Sequence, residues 1–337
     1  MSFYSVGDMA QIYQLRRNNA DLKTLASRLT GELTTGAKAD TGAAVRGDFT
    51  ALAGVERSLA TLGSYATVTA EAGHFAAAQQ VALVAIGAML SEAGPTLLSA
   101  STSSSPTMLS ATTTDARQKF GAVVSALNTN TAGRYSFAGV ATDTRPLASD
   151  KAMLAALTTA TAGETTASGI IAALTAWFDA PAGGGGFVDT AYGGGPPLAP
   201  FAIAAGETVE IGVTAADPAT RDLLKGLALA SLVAEGALAG NDSARAALTR
   251  AAGELVMAAS GQATTLAARV GSAEAAIEDA ATRNTSETSA LEIARSGMTA
   301  ADPYDTATAL EAVQGQLETL YMLTARLSEL KLTDYLR

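Results

Sequence analysis

The chain contains no cysteine, which excludes disulfide scaffolds, thiolate nucleophiles and cysteine-based zinc or iron–sulfur sites. It has a single histidine, His74, so a histidine-rich metal cage is excluded as well. Aromatic residues make up 5% and charged residues 16% of the 337. The 48% hydrophobic content is therefore mostly small aliphatic, and a chain so rich in alanine favours helix over sheet. Positive charge is also scarce. Lys and Arg number 22 against 32 Asp and Glu, a net charge of −10. This argues against a nucleic-acid partner, whose phosphates need a basic face. The longest strongly apolar, uncharged run, Val81–Leu90, falls short of the roughly 18–20 residues needed to cross a bilayer. The first residues carry no basic stretch and no long apolar one, and Asp8 lies among them, so no cleavable secretory signal is expected. The composition implies a soluble chain without membrane insertion, either cytoplasmic or exported by a route that needs no such signal.

What is present is heptad periodicity at both ends. Ile12, Leu15, Asn19, Leu22, Ala26, Leu29 and Leu33 step by three and four residues in alternation, which lays one apolar seam along a helix. Asn19 sits in that seam, where an amide either fixes register or lies at the rim. Gly31 and Gly36 loosen the helix, and Lys38–Gly42 marks a break. A second helical stretch carries Phe49, Leu52, Val55, Leu59 and Leu62 on one face. A third runs through Leu83, Ile86 and Leu90 and is expected to stop at Gly94-Pro95. Thr96–Thr114, rich in Ser and Thr, suggests a loop or short hairpin, with helix resuming at Asp115 as N-cap and packing Phe120, Val123 and Leu127.

The middle differs. Ser168–Ala180 is a short amphipathic helix ended by Pro181 and the glycines 183–186. Phe187–Tyr192 is a possible strand. Val209, Ile211 and Val213 alternate with polar or small neighbours, a half-buried strand with Gly206 at a hairpin turn after Phe201–Ala204. Pro218 suits the first turn of the next helix. A small mixed α+β insertion, 140–217, is thus expected between helical arms. Beyond it, Leu266, Val270, Ala273, Ile277, Ala280, Asn284, Glu287, Leu291, Ala294 and Met298 hold the four–three step until Asp302-Pro303. Leu310, Val313, Leu317, Leu320, Thr324 and Leu327 restart it. The side chains of one such seam do not offset the entropy of ordering so long a helix, so the two ends are expected to harden on assembly.

No constellation for catalysis stands out. His74 lies on a helix side, and no Ser-centred elbow accompanies it. The glycine runs 183–186 and 193–195 lack the phosphate-loop pattern. Asp302, Asp305 and Glu311 are carboxylates at a helix start, not a calcium loop. Arg16, Arg17, Lys23 and Arg28 make the first helix locally basic, either as a solvated face or against acidic neighbours. Asn241-Asp242-Ser243 and Asn284-Thr285-Ser286 match the glycosylation pattern by chance.

Three segments resemble the flagellin superfamily and, within it, the hook-associated proteins of the hook–filament junction. Leu25–Gly36 (LASRLTGELTTG) is similar to the family's N-terminal helix, and Arg134–Leu147 (RYSFAGVATDTRPL) to the segment where the rod enters the outer domain. Ser296–Leu336 resembles the C-terminal helix, with its Ala-Asp-x-Tyr start and Leu-x-x-Tyr-Leu close. The family's Pro-Ser-Asp-Asp-Pro after the first helix is replaced by Ala37–Gly42 (AKADTG). The resemblance implies a mainly α fold: long N- and C-terminal helices paired in a coiled-coil-like rod, with a small α+β outer domain inserted. It implies terminal assembly segments 1–42 and 296–337, a helical rod domain 43–139 with 218–295, and the outer domain 140–217. The assembly interface would be Ile12, Leu15, Asn19, Leu22, Ala26 and Leu29 with Leu310, Val313, Leu317, Leu320 and Leu327. It implies an extracellular structural adapter that joins hook to filament, is not an enzyme and needs no cofactor. Its partners would be a ring of like subunits, a neighbouring hook-associated protein, flagellin and an export chaperone. A flagellin filament subunit shares the rod and is the alternative. A soluble signalling coiled coil or a secreted enzyme is the alternative from another class.

Overall fold

In the computed structural model, residues 6–103 and 105–335 are described, with side chains described over 9–103 and 105–326. The chain is mainly helical, with long terminal helices and a small strand-containing centre. One compact unit comprises Met1–Leu62 with Ser286–Arg337, and the other Gly63–Thr285. Helix α1 (Val6–Thr35), the short α2 (Thr41–Ala44) and α10 (Pro303–Tyr335) belong to the first. Helices α3 (Thr50–Thr102) and α9 (Asp242–Thr299) contribute to both.

The second unit has its core where α4 (Pro106–Leu127), α5 (Asp150–Ala160) and α6 (Ala167–Asp179) pack against α8 (Pro218–Ala234). Phe120, Phe137, Phe178 and Phe187 are fully buried there. Trp177, Phe178 and Phe187 form one aromatic cluster with ring centroids 5.0–5.7 Å apart. Two small hairpins complete it: β1 (Asn130–Thr131) with β2 (Arg134–Tyr135), and β3 (Phe201–Ala204) with β4 (Glu207–Val209) turning at Gly206. Gly206 has φ +75°, a conformation glycine adopts without strain. Beyond β4 the chain leaves the ladder, yet Ile211 and Val213 stay buried in alternation. Three buried or half-buried amides fasten these loops to the helices. The Gln79 amide nitrogen donates to the carbonyls of Ser136 (2.6 Å) and Val213 (2.9 Å). Asn128 bonds both the carbonyl and the N–H of Leu147. The Asn284 amide donates to the Ile203 carbonyl at 2.8 Å.

Several local expectations are corrected. Gly94-Pro95 does not stop a helix, because α3 runs unbroken through it to Thr102. Pro95 faces outward and Leu90, Ala93, Leu97 and Ala100 are buried on either side. Burying Leu90 and Leu97, at about 1.5–3 kcal/mol each, outweighs the roughly 3 kcal/mol of an interior proline. Gly94 serves helix packing: a Cβ there would lie 2.7 Å from Met257 Sδ on α9. Residues 96–102 and 106–114 are helical rather than a loop or hairpin. Ser105 caps α4 by accepting from Met108 N, and Pro106 fills the first turn. Asp115 is therefore mid-helix, where it pairs with Lys119 at 2.9 Å. Phe187–Tyr192 is not a strand. Phe187–Thr190 forms one helical turn, α7, whose Asp189 accepts from the N–H groups of Gly183 and Gly185. Helix α5, which no expectation above covers, is capped by Ser149 accepting from Ala152 N.

Helix α3 holds an 18-residue window of mean hydropathy 1.7, long and apolar enough by length and composition to cross a membrane. One face of it, Ala72, Ala76, Leu83, Ile86 and Leu90, is buried in the protein core, with the hydrogen-bonded Gln79 among them. A core helix passes the same test.

Candidate assembly surface

The two terminal helices α1 and α10 pack along each other within the first unit. The sequence-derived seam maps onto this contact in part, since Leu33 and Thr324, which the four–three step includes, are exposed. Leu29 on α1 is 8% exposed and Val313 on α10 is 6% exposed. Ile12, Leu15, Asn19, Leu22 and Ala26 are half-buried, as are Leu310, Leu317 and Leu320. The Leu327 side chain lies outside the described residues. One helix covers only one side of a heptad stripe, so the rest of each side chain stays open to water. The partner seam on α9 is closed from Leu266 to Asn284 and only half-buried at Leu291, Ala294 and Met298.

The pair is fixed where α1 ends and α10 begins. Gly36, at φ +70°, ends α1. The Lys38 N–H then donates to the Thr299 carbonyl (2.8 Å), and the Ala301 N–H to the Gly36 carbonyl (2.9 Å). This is an isolated antiparallel bridge between Ala37 and Ala300. Asp302 starts α10 by accepting from the N–H groups of Tyr304 and Asp305. Asp40 caps α2 by accepting from Ala43 N. Glu32 reaches across the break to accept from Ala39 N at 3.0 Å.

Further along the pair, Asn19 meets Tyr321. Hydrogen bonding by the Lys23 and Asn19 side chains holds the exposed phenol of Tyr321 below its usual pKa. The Lys23 ammonium lies 5.9 Å from the ring centroid. Asn19 itself is half-buried on α1. Tyr321 and Lys23 were missed in the seam because they flank it, one position outside the four–three step. A groove of about 730 Å³ runs beside the seam, lined by Asn18, Asp21 and Leu22 of α1 and by Gly315, Gln316 and Leu323 of α10, among others. Gly315 has nothing within 4 Å of where a Cβ would stand. Inside the second unit, by contrast, a Cβ at Gly226 would lie 2.8 Å from Val256 N, and one at Gly253 2.9 Å from Leu98.

Among the described residues no three His, Asp or Glu side chains stand together as a metal site. His74 is exposed on α3. Glycines 183–186 hold the chain's own Asp189 rather than offering an open cradle. Asn241, one of the two chance glycosylation matches, caps α9 by accepting from Ala244 N. Asn284, the other, is buried.

Residues 254–336 match the family model of the bacterial flagellin C-terminal helical region. Among solved structures, the chain is similar to one described as a flagellar hook-associated protein from Vibrio parahaemolyticus. The identity is 13%, the match covers 72% of this chain and 94% of that one, and the TM-score is 0.52. It is also similar to FlgL of Bacillus cereus, at 17% identity over 71% of this chain and 96% of that one, with a TM-score of 0.49. No curated protein matches the chain in sequence. Residues 254–336 are thus similar to a flagellin C-terminal helical region, and 72% of the chain shares the fold of the Vibrio parahaemolyticus structure.

Proposed function

From a flagellin-type C-terminal region on a hook-associated fold, we propose that the chain is an extracellular structural subunit of the bacterial flagellum. It assembles beyond the hook and joins hook to filament by packing of its terminal helices. The observation that carries this reading is the half-closed seam. Leu15, Leu22, Leu317 and Leu320 lie on helices paired and pinned within one chain, yet each stays partly open. Apolar stripes left in that state favour further helices as occupants. The segments 1–42 and 296–337 carry assembly, 43–139 with 218–295 form the helical body, and 140–217 face outward. Like subunits, a neighbouring hook-associated protein and flagellin are the partners, and a chaperone accompanies export without a cleavable signal. No reaction is catalysed.

The test is a deletion of Leu320–Arg337. The truncated chain stays soluble and folded in its middle but is lost from detergent-washed flagella. A truncated chain that still joins flagella and supports filaments overturns the reading. The match to a flagellin C-terminal region also fits a filament subunit. Purified chain that polymerises alone into long filaments favours that alternative, whereas a junction subunit does not extend indefinitely.

A further inference from the structure

Charge on the terminal pair is divided between the two helices. On α1, Arg17 and Arg28 are engaged by Asp21 (4.0 Å) and Glu32 (3.7 Å), each four residues on. That leaves Arg16 and Lys23 without a carboxylate partner, both exposed and seven residues apart, although Lys23 also bonds the Tyr321 phenol and lies beside its ring. On α10 the order is reversed. Asp305 sits in the first turn, where the helix dipole favours it. Between Asp305 and Arg326 the charged residues of α10 are Glu311 and Glu318, also exposed and also seven apart. Among the described residues, Arg16, Glu311 and Glu318 form no ion pair. A spacing of seven is two helical turns, about 10 Å along each axis, so the two pairs can meet two-on-two.

We propose that Arg16 and Lys23 of one copy dock on Glu311 and Glu318 of the next. This rests on the terminal pair being an assembly surface, and it names the contact that surface makes with its own kind. The occupant is a second copy because one chain carries both halves of a matched pattern on different helices. Such a contact joins unlike patches, so each copy keeps one half free and the association can repeat around a ring or along a helix. A net charge of −10 sets copies of this chain against one another, so a specific approach needs a local cationic edge, and Arg16 with Lys23 is the surplus available. The pairs are exposed, so they act on encounter and register, while the open leucines of the seam supply the burial.

The absence of native cysteine makes the test direct. Full-length Arg16→Cys and Glu318→Cys chains are mixed in dilute buffer under mild oxidation, and disulfide-linked dimers are counted. The mixed dimer forms several-fold above random pairing at low salt and falls to random pairing at about 1 M, where the screening length is about 3 Å. Adding Lys23→Glu to the first chain removes the excess, and adding Glu311→Lys to the second restores it. Random pairing at every salt, or a loss that Glu311→Lys does not restore, overturns the proposal. Recovery of the wild-type chain in washed flagella is scored separately. If it is present there while cross-links pair randomly, this contact fails and the function stands. If steered cross-links form in a chain absent from flagella, the function fails and the contact stands.

Discussion

Leu317→Asp separates a seam that waits for partners from one already closed. Leu317 is half-buried on α10, so substitution removes about half the transfer energy of a leucine, roughly 1 kcal/mol within one chain. A carboxylate there keeps much of its water and adds little in the monomer. In an assembly that covers the seam, the same carboxylate is buried without a partner, a cost of several kcal/mol. The reference is Leu174→Ala on α6, a fully buried position in the second unit, where about 2–5 kcal/mol is lost. Urea unfolding followed by circular dichroism compares the two variants, and washed flagella report incorporation. Leu317→Asp should leave the main transition within about 1 kcal/mol of wild type and abolish incorporation. Leu174→Ala should move that transition strongly. If Leu317→Asp destabilises as much as Leu174→Ala, the seam is sealed inside one molecule. If it incorporates normally, the seam is not an assembly surface.

Gly226→Ala should destabilise the second unit by about 2 kcal/mol or more, because the new methyl meets the backbone of Val256 and Ala252. Gly315→Ala meets nothing and should raise helix stability by up to about 1 kcal/mol, while placing a methyl in the groove beside α1 and lowering incorporation. Gln79→Leu should cost about 2–3 kcal/mol in denaturant unfolding, because the Ser136 and Val213 carbonyls lose their shared donor in the core. Asp189 is held below its usual pKa by N–H donors from Gly183 and Gly185. Its contribution to the 183–186 loop is therefore complete above the ordinary carboxylate pKa of about 3.9 and lost as pH falls through the lowered value. Amide exchange at Gly183 and Gly185 should rise over that acid range, and Asp189→Ala should give the same rise at neutral pH.

The terminal helices were legible because their signal is long and strictly periodic, and Leu29 and Val313 fall on the buried line of it. The α6 helix and the β3–β4 hairpin were legible from one clear signal each, Pro181 just after the helix and Gly206 at the turn of the hairpin. Gly94-Pro95 misled because its effect depends on what lies beside it: Met257 needs the space at Gly94, and Leu90 and Leu97 hold the helix across the proline. Ser105-Pro106 misled in the opposite sense, since the same proline that breaks a helix also begins one. Asn284 followed the seam pattern as if it were an apolar residue, and its use shows only when the Ile203 carbonyl arrives from a strand far away in sequence. On the candidate surface, the seam was written in side-chain type, whereas Lys23, Tyr321 and Gly315 beside it carry no period of their own.

The two main-chain hydrogen bonds that join Lys38 to Thr299 and Ala301 to Gly36 set the alignment of α1 with α10 at a single end. A heptad stripe by itself tolerates slippage by seven residues, since each apolar tooth finds an equivalent gap. The bonds run between main-chain atoms, so this fastening tolerates most side chains at Ala37, Lys38 or Ala300; it asks only that Lys38 and Ala301 keep their N–H, which excludes proline there, and that Gly36 hold a φ of +70°, which suits glycine. The leucines further out can then be chosen for whatever neighbour they will meet, because keeping the two helices in step is no longer their task.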